Sequence, residues 1–244
     1  MAFRPLFIFL LFASTFSVCA GQTGGKKQTN PPDSVYTWRT ATQDGIGKYY
    51  MQREIAHVMG AAGSDWLERN DRQKEENSDL AIEKIIIPLN AVVADIGAGT
   101  GYYSFKLAAK VPKGRVYAVD IQDEMIQYLS NRKAKLKDSI VEIVKGSAVS
   151  PNLPANSLDL ALMVDVYHEL EFPHEMLQAI SRSLKAGGRI LLIEYRGEDP
   201  AVRIKPLHKT TVAQLNKELN ANGFLLDFDG EFLPIQHFLL YRKK

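Results

Sequence analysis

The sequence predicts an α/β protein, a three-layer doubly wound sandwich built around a mainly parallel sheet. Three observations lead there. From residue 91 onward, short apolar runs rich in β-branched residues alternate with helical patterns. The runs lack polar alternation, so both faces of each strand must be buried, as in parallel sheets flanked by helices. Three closely spaced glycines follow the first run, where such sheets carry ligand-binding turns.

The elements read as follows. Residues 91–97 (AVVADIG) form a buried strand, followed by a helix from Gly101 to about Lys110. Residues 115–121 form the second strand, followed by a helix from Asp123 to about Ala134. Residues 139–146 form the third strand. Residues 158–165 form the fourth, followed by a helix from Pro173 to Leu184. Residues 187–196 form the fifth, followed by a helix from Thr211 to Ala221. Strands near Phe224 to Asp227 and His237 to Tyr241 come last. Right-handed crossovers place the helices on both faces of the sheet. Ligands in such folds bind beyond the carboxyl ends of the strands, where strand order reverses. The ends of the first, second and fourth strands are therefore the expected site.

Upstream, residues 1–20 have the proportions of a secretory signal peptide. Arg4 precedes an apolar run from Leu6 to Val18, and Val18-Cys19-Ala20 approximates a small-residue cleavage pattern. The run is shorter than the roughly 18 apolar residues of a membrane span. This reading makes the protein exported, to the periplasm of a bacterial cell. A misassigned start codon would leave it cytoplasmic instead. Membrane contact follows only if the leader is retained or Cys19 is lipidated, and Val18 fits a lipobox poorly. Cys19 is the only cysteine, so cleavage after Ala20 removes all thiol chemistry from the mature chain.

Residues 21–34, rich in Gly and Pro, read as a flexible linker. Residues 35–70 read as an N-terminal cap segment with weak helical periodicity, its Trp38 and Trp66 expected to pack over the cleft. Residues 71–244 form the main domain. Its first helix is expected from Asp71 to Ile87, with Leu80, Ile82, Ile85 and Ile86 as apolar positions.

Composition excludes several classes. The chain has 244 residues, 45% hydrophobic and 24% charged, with a formal net charge of +2, an ordinary globular balance. Acids and bases are mixed, so no basic stripe suggests nucleic acid. Arg132, Lys133, Lys135 and Lys137 read as the solvated end of a helix. No metal-ligand cluster is legible, and His57, His174 and His237 read as structural. Oligomeric state leaves no trace in the sequence.

The glycine turn is the most informative segment. Asp95, one residue, then Gly97-Ala98-Gly99-Thr100-Gly101 leads from strand to helix. Glycines let the backbone turn sharply and approach a ligand closely. The helix N-terminal amides can then hold an anionic group. A dinucleotide fingerprint wants its third glycine one residue later, where Tyr102 stands. Asp120, at the end of the second strand, can accept hydrogen bonds from both ribose hydroxyls of a nucleotide, or cap the helix that follows.

Acid-x-G-x-G-x-G resembles motif I of the class I S-adenosylmethionine-dependent methyltransferases. VYAVDIQDEMIQYL resembles their second-strand motif, SLDLALMVDVYHEL their fourth-strand motif, and LKAGGRILLIEYR their LKPGG turn and fifth strand, with Ala186 in place of proline. The resemblance covers about residues 71 to 241 and is greatest to the type 11, ubiquinone-biosynthesis-like group. It implies a seven-stranded sheet with the last strand antiparallel. It also implies an S-adenosylmethionine cofactor, held at Asp95, Gly97, Ala98, Gly99, Gly101, Asp120, Ile121, Ser147 and Asp165. Many relatives carry an acid after the third strand. Gly146-Ser147-Ala148 stands there instead, leaving Ser147 or a backbone group to meet the adenine.

The implied activity is methyl transfer to a small-molecule acceptor. Catalytic candidates cluster after the fourth strand. Asp165 ends the strand beside the expected methyl position. Tyr167 has an aromatic face suited to a sulfonium. His168 either takes a proton from the acceptor or lines its pocket. Glu194, Tyr195 and Arg196 either line the acceptor pocket or serve as caps and ion pairs. His208 and Lys209 lie in a loop suited to shaping substrate entry. Two other readings stay open: an exported nucleoside-binding protein without catalysis, and a nicotinamide-dependent oxidoreductase. The glycine spacing and the lack of a Tyr-x-x-x-Lys pair disfavour the second.

Overall fold

The computed structural model describes Met1 and residues 35–244, so the expected signal peptide and linker lie outside the described residues. Among the described residues there are ten strands: β1 (Tyr36–Trp38), β2 (Gly45–Tyr50), β3 (Arg53–Ala56), β4 (Val92–Ile96), β5 (Arg115–Asp120), β6 (Val141–Lys145), β7 (Leu158–Val164), β8 (Leu184–Tyr195), β9 (Phe224–Gly230) and β10 (Gln236–Lys243). The same residues form seven α-helices: α1 (Ser64–Leu67), α2 (Arg72–Glu76), α3 (Ser78–Lys84), α4 (Tyr102–Lys110), α5 (Asp123–Leu136), α6 (Pro173–Ser183) and α7 (Val212–Ala221). Among the described residues no helix is long and apolar enough to cross a membrane.

β4 to β10 form one seven-stranded sheet in the order β6-β5-β4-β7-β8-β10-β9. β4 to β8 run parallel, and β10 inserts antiparallel between β8 and β9. The α/β sandwich and the antiparallel last strand are as expected from the sequence. Adjacent residues of one strand enter opposite halves of the core, because side chains alternate across a strand. Val93 packs with Leu107 of α4 and Leu129 of α5, whereas Ala94 packs with Leu177 of α6 and Leu215 of α7. This two-sided burial is why the strand sequences are unbroken apolar runs.

The segment before the sheet departs from expectation. Residues expected to be weakly helical form a three-stranded antiparallel sheet, β1-β2-β3, followed only by short helical turns. Tyr50 pairs with Arg53, leaving Met51 and Gln52 as a two-residue turn at φ 48° and 78°. Such turns need positive φ at both central positions and usually advertise themselves with Asn-Gly. Met-Gln carries no such signal.

The single helix expected from Asp71 to Ile87 is also broken. Asn77 adopts the left-handed conformation (φ 54°) between α2 and α3, and Ile85 is already extended. Asn tolerates that conformation better than most residues. Pro88 disfavours helical backbone just before it. As a result Ile85 is buried and Ile86 is exposed. The fifth strand starts earlier than expected, at Leu184, which pairs with Leu158 before the register shifts.

A buried ion pair fastens the small sheet to the large one. Arg53 of β3 donates from Nε and Nη2 to the two carboxylate oxygens of Glu218 on α7, at 2.8 and 2.9 Å. Its third nitrogen donates to the His168 carbonyl at 3.1 Å. Tyr167 donates its hydroxyl to the same Glu218 at 2.9 Å. Removing one partner of such a pair leaves an uncompensated buried charge. Glu218→Ala should therefore cost about 3–5 kcal/mol of stability in urea unfolding. A loss below about 1 kcal/mol, the scale of an exposed pair, would show that this lock does not hold the cap.

Candidate active site

A cavity of about 700 Å³ opens at the carboxyl ends of β4, β5 and β7, where strand order reverses. Its wall includes Gly97, Gly99, Asp120, Ile121, Ser147 and Asp165 on the nucleotide-motif side. His57, His168, Glu169, Tyr195 and His208 also reach it.

The glycine turn owes its shape to crowding. Gly97 stands at φ 73°, and a Cβ there would come within 2.5 Å of Val166. Gly99 stands at φ 55°, and its Cβ would meet Leu67 at 2.8 Å. The Gly97 and Ala98 amides both donate to the Val119 carbonyl at 2.9 Å, tying the turn to β5. The Gly99 amide donates to Asp120 Oδ2 at 2.9 Å. Asp120 Oδ1 accepts from the Gln122 amide at 2.9 Å. Each oxygen is thus pinned by a backbone amide, with the Ile121 amide also acting on the carboxylate. Burial raises the Asp120 carboxyl above its ordinary value, and the Gln122 and Gly99 amides work against that rise.

Asp95 sits elsewhere. It is buried behind the turn, off the cavity wall, and accepts from Ser104 Oγ at 2.6 Å. It therefore steadies the first turn of α4. Ala98 and Gly101 also lie off the wall and shape the turn from behind. Ile121 is 43% exposed at the wall, which leaves its side chain free for a flat ring. Ser147 reaches the wall, but its amide and hydroxyl both donate to the Ser150 carbonyl, at 2.8 and 3.2 Å.

Asp165 follows β7 in the left-handed conformation, φ 53°. Gln236 donates to its Oδ2 at 2.7 Å, while its buried Oδ1 has no hydrogen-bond partner. Burial, with Glu76 and Glu194 nearby, holds its carboxyl well above the usual range. An orphaned buried oxygen on a cavity wall suits a cationic or hydrogen-donating ligand group.

Tyr167 does not meet the role expected of it. It is fully buried off the wall, committed to Glu218, so its ring is not presented to a ligand. His168 does reach the wall. Glu194, expected to be either a pocket residue or a capping one, is its anchor. Glu194 Oε1 accepts from the Val166 and Tyr167 amides at 3.1 and 2.7 Å, and Oε2 accepts from His168 Nδ1 at 2.6 Å. With Nδ1 donating, His168 Nε2 carries a lone pair. That nitrogen stands 3.2 Å from His208 Nδ1 and 3.8 Å from Glu169 Oε1.

The other candidates divide. Tyr195 lines the cavity and donates to Glu76 at 2.8 Å. Arg196 turns away to the Gln236 and Leu233 carbonyls, and Lys209 to those of Asp199 and Val202. Trp66 lines the cavity under the Arg69 guanidinium, but Trp38 lies away from it in β1. His174 pairs with Asn222 and His237 with Glu198, as structural residues would. His57 is on the wall instead. Sequence reasoning missed Arg69, Arg72 and Glu76, which line the cavity as a linked group: both arginines donate to Glu76, at 2.6 and 2.8 Å. Their run, ERNDRQKEE, reads as an ordinary solvated charge run.

This strand order, with a glycine turn after β4 and a carboxylate ending β5, defines a class I S-adenosylmethionine-dependent methyltransferase fold. Residues 94–192 match the methyltransferase domain family. It is 28% identical over 132 residues to an uncharacterized methyltransferase-like protein of Schizosaccharomyces pombe, covering 54% of this chain and 49% of that one. It is 30% identical over 151 residues to the demethylmenaquinone methyltransferase of Lactococcus lactis, covering 59% of each. A solved S-adenosylmethionine-dependent methyltransferase from Aquifex aeolicus superposes with a TM-score of 0.71 at 23% identity, covering 75% of this chain and 98% of that one. The chain spans about half to three-fifths of the length of these two curated relatives.

Burial pushes Asp95 from its ordinary 3.8 up to about 6, against the pull of Ser104. A carboxyl raised in the folded state binds its proton more tightly there than in the unfolded chain. Its ionisation therefore lowers stability as pH rises from about 4 to about 6, with no further loss above that. Asp95→Asn removes the effect. In urea unfolding, the stability of the variant relative to wild type should rise by up to about 3 kcal/mol between pH 4 and pH 7. A difference independent of pH would contradict the burial of an ionisable Asp95.

Proposed function

We propose that the protein transfers a methyl group from S-adenosylmethionine to a small-molecule acceptor. The observation that carries this reading is the Asp120 carboxylate, pinned by the Gly99 and Gln122 amides at the end of β5 and lining the cavity. That is a receptor for the two hydroxyls of a ribose. Ile121, next along the wall, offers an apolar face to the base. The unpartnered Oδ1 of Asp165 suits the cationic amino-acid end of the cofactor. Arg69 and Arg72, from the α2 region, bring positive charge suited to its carboxylate.

When bound, the cofactor supplies a methyl carbon activated by its sulfonium. The chain's task is to hold the acceptor in line with that carbon and to shed water. His168 stands at the acceptor end of the cavity, and Glu194 fixes its ring orientation. Relatives whose names specify small molecules, such as the demethylmenaquinone enzyme, support an acceptor of that size. So does the cavity of about 700 Å³, within the roughly 300–1,000 Å³ of small-molecule sites.

Calorimetric titration of the purified chain tests the reading, with NAD as the comparison ligand. S-adenosylmethionine should bind and NAD should not. Asp120→Ala, losing two hydrogen bonds to a charged group, should weaken binding by roughly a hundred-fold or more. A folded protein that binds neither ligand, or an Asp120→Ala variant that binds as wild type does, would sink the assignment.

A further inference from the structure

We propose that His168, Glu169 and His208 form a site for a divalent first-row transition metal of zinc type, and that the acceptor is held there through an oxygen. The second half rests on the methyl-transfer reading; the first does not.

Three donor atoms converge at the cavity. His168 Nε2, His208 Nδ1 and Glu169 Oε1 form a triangle with edges of 3.2, 3.4 and 3.8 Å. Ligands about 2.0–2.1 Å from a tetrahedral zinc ion stand about 3.3–3.4 Å apart, so one ion can reach all three atoms without moving a backbone. Two imidazoles and one carboxylate, with a fourth position facing a cavity, are the donor set of catalytic zinc sites.

Proton accounting points the same way. In the neutral imidazole, Nδ1 donating to Glu194 leaves Nε2 as an acceptor. Glu169 Oε1 accepts from the Met59 amide at 3.2 Å and is an acceptor too. His208 Nδ1 lies close to both and has at most one proton to offer. A cation satisfies all three lone pairs together.

The surroundings match as well. Metal-bound histidines usually donate their other ring nitrogen to a carboxylate, which orients the ring. Glu194 does this at 2.6 Å, and it is itself fixed by two backbone amides. His168 and Glu194 are buried, whereas Glu169 and His208 are part-exposed at the cavity. The rigid half of the site is thus on the sheet side and the open half faces the ligand space.

The chemistry selects the acceptor. An oxygen entering the open position has its pKa lowered by the ion, and its hydroxyl proton leaves to water in the cavity. The oxygen's electron pair then forms the bond to the methyl carbon. The sulfur–methyl bond breaks, and its pair returns to sulfur. A hydroxyl or enol acceptor fits this site, and an aliphatic carbon acceptor does not.

The test uses the purified chain, stripped with a chelator and dialysed. Titration with Co²⁺ should give the visible absorption of a tetrahedral site at one ion per chain, bleached by Zn²⁺. His208→Ala and Glu169→Gln alter part-exposed side chains and should fold. Each should weaken Co²⁺ binding by at least about ten-fold while leaving S-adenosylmethionine titration intact. No stoichiometric Co²⁺ or Zn²⁺ binding by a folded chain overturns the metal site and leaves His168 as a simple proton acceptor. Unchanged Co²⁺ binding in both variants overturns it also. Metal binding without S-adenosylmethionine binding would support the site and overturn the acceptor assignment, marking failure of the methyl-transfer reading separately.

Discussion

A carboxylate buried at the end of β8 holds the functional side of this protein together. Glu194 is fully buried. It accepts the two amides that follow Asp165 and also the imidazole of His168. One side chain therefore fixes the path of the chain leaving β7 and the orientation of the ring that enters the cavity. A buried carboxylate is costly unless its lone pairs are met. Here the backbone and the histidine meet them together. The same turn carries Tyr167 to Glu218, and Glu218 carries Arg53 of the small sheet. The cap, α7 and the histidine thus share one polar network.

The parallel sheet was legible because its physics leaves a mark on every strand. Burial on both faces demands unbroken apolar runs, and those runs gave the strands to within a few residues. The cap was not legible for a local reason. Its tight turn at Met51-Gln52 uses side chains that rarely accept positive φ. Nothing in that dipeptide announces a hairpin. The break at Asn77 was hidden as well, because the apolar spacing on either side of it still suits one long helix.

The site shows the same division. Gly97, Gly99 and Asp120 could be read directly, since a sharp turn and a strand-end acid require particular residue types. Asp95 could be found but not given its role. Its contact with Ser104 belongs to the helix, and motif spacing alone does not separate a wall residue from a supporting one. Tyr167 points inward by the geometry of a 3-10 turn, which no periodicity in the sequence specifies. The grouping of His168, Glu169 and His208 joins two distant segments, so only the fold brings it into view. The cavity arginines were lost among charges that read as solvent-facing, although Arg72 is 5% exposed.

We propose that the Asp120 carboxylate receives the ribose of an S-adenosyl nucleoside. A crystal structure of the chain with S-adenosylhomocysteine tests it most directly. The expected complex has both ribose hydroxyls on Asp120, the base over Ile121 and the amino-acid end beside Asp165. A nucleoside bound elsewhere in the cavity, with Asp120 touching only Gly99 and Gln122, would contradict it.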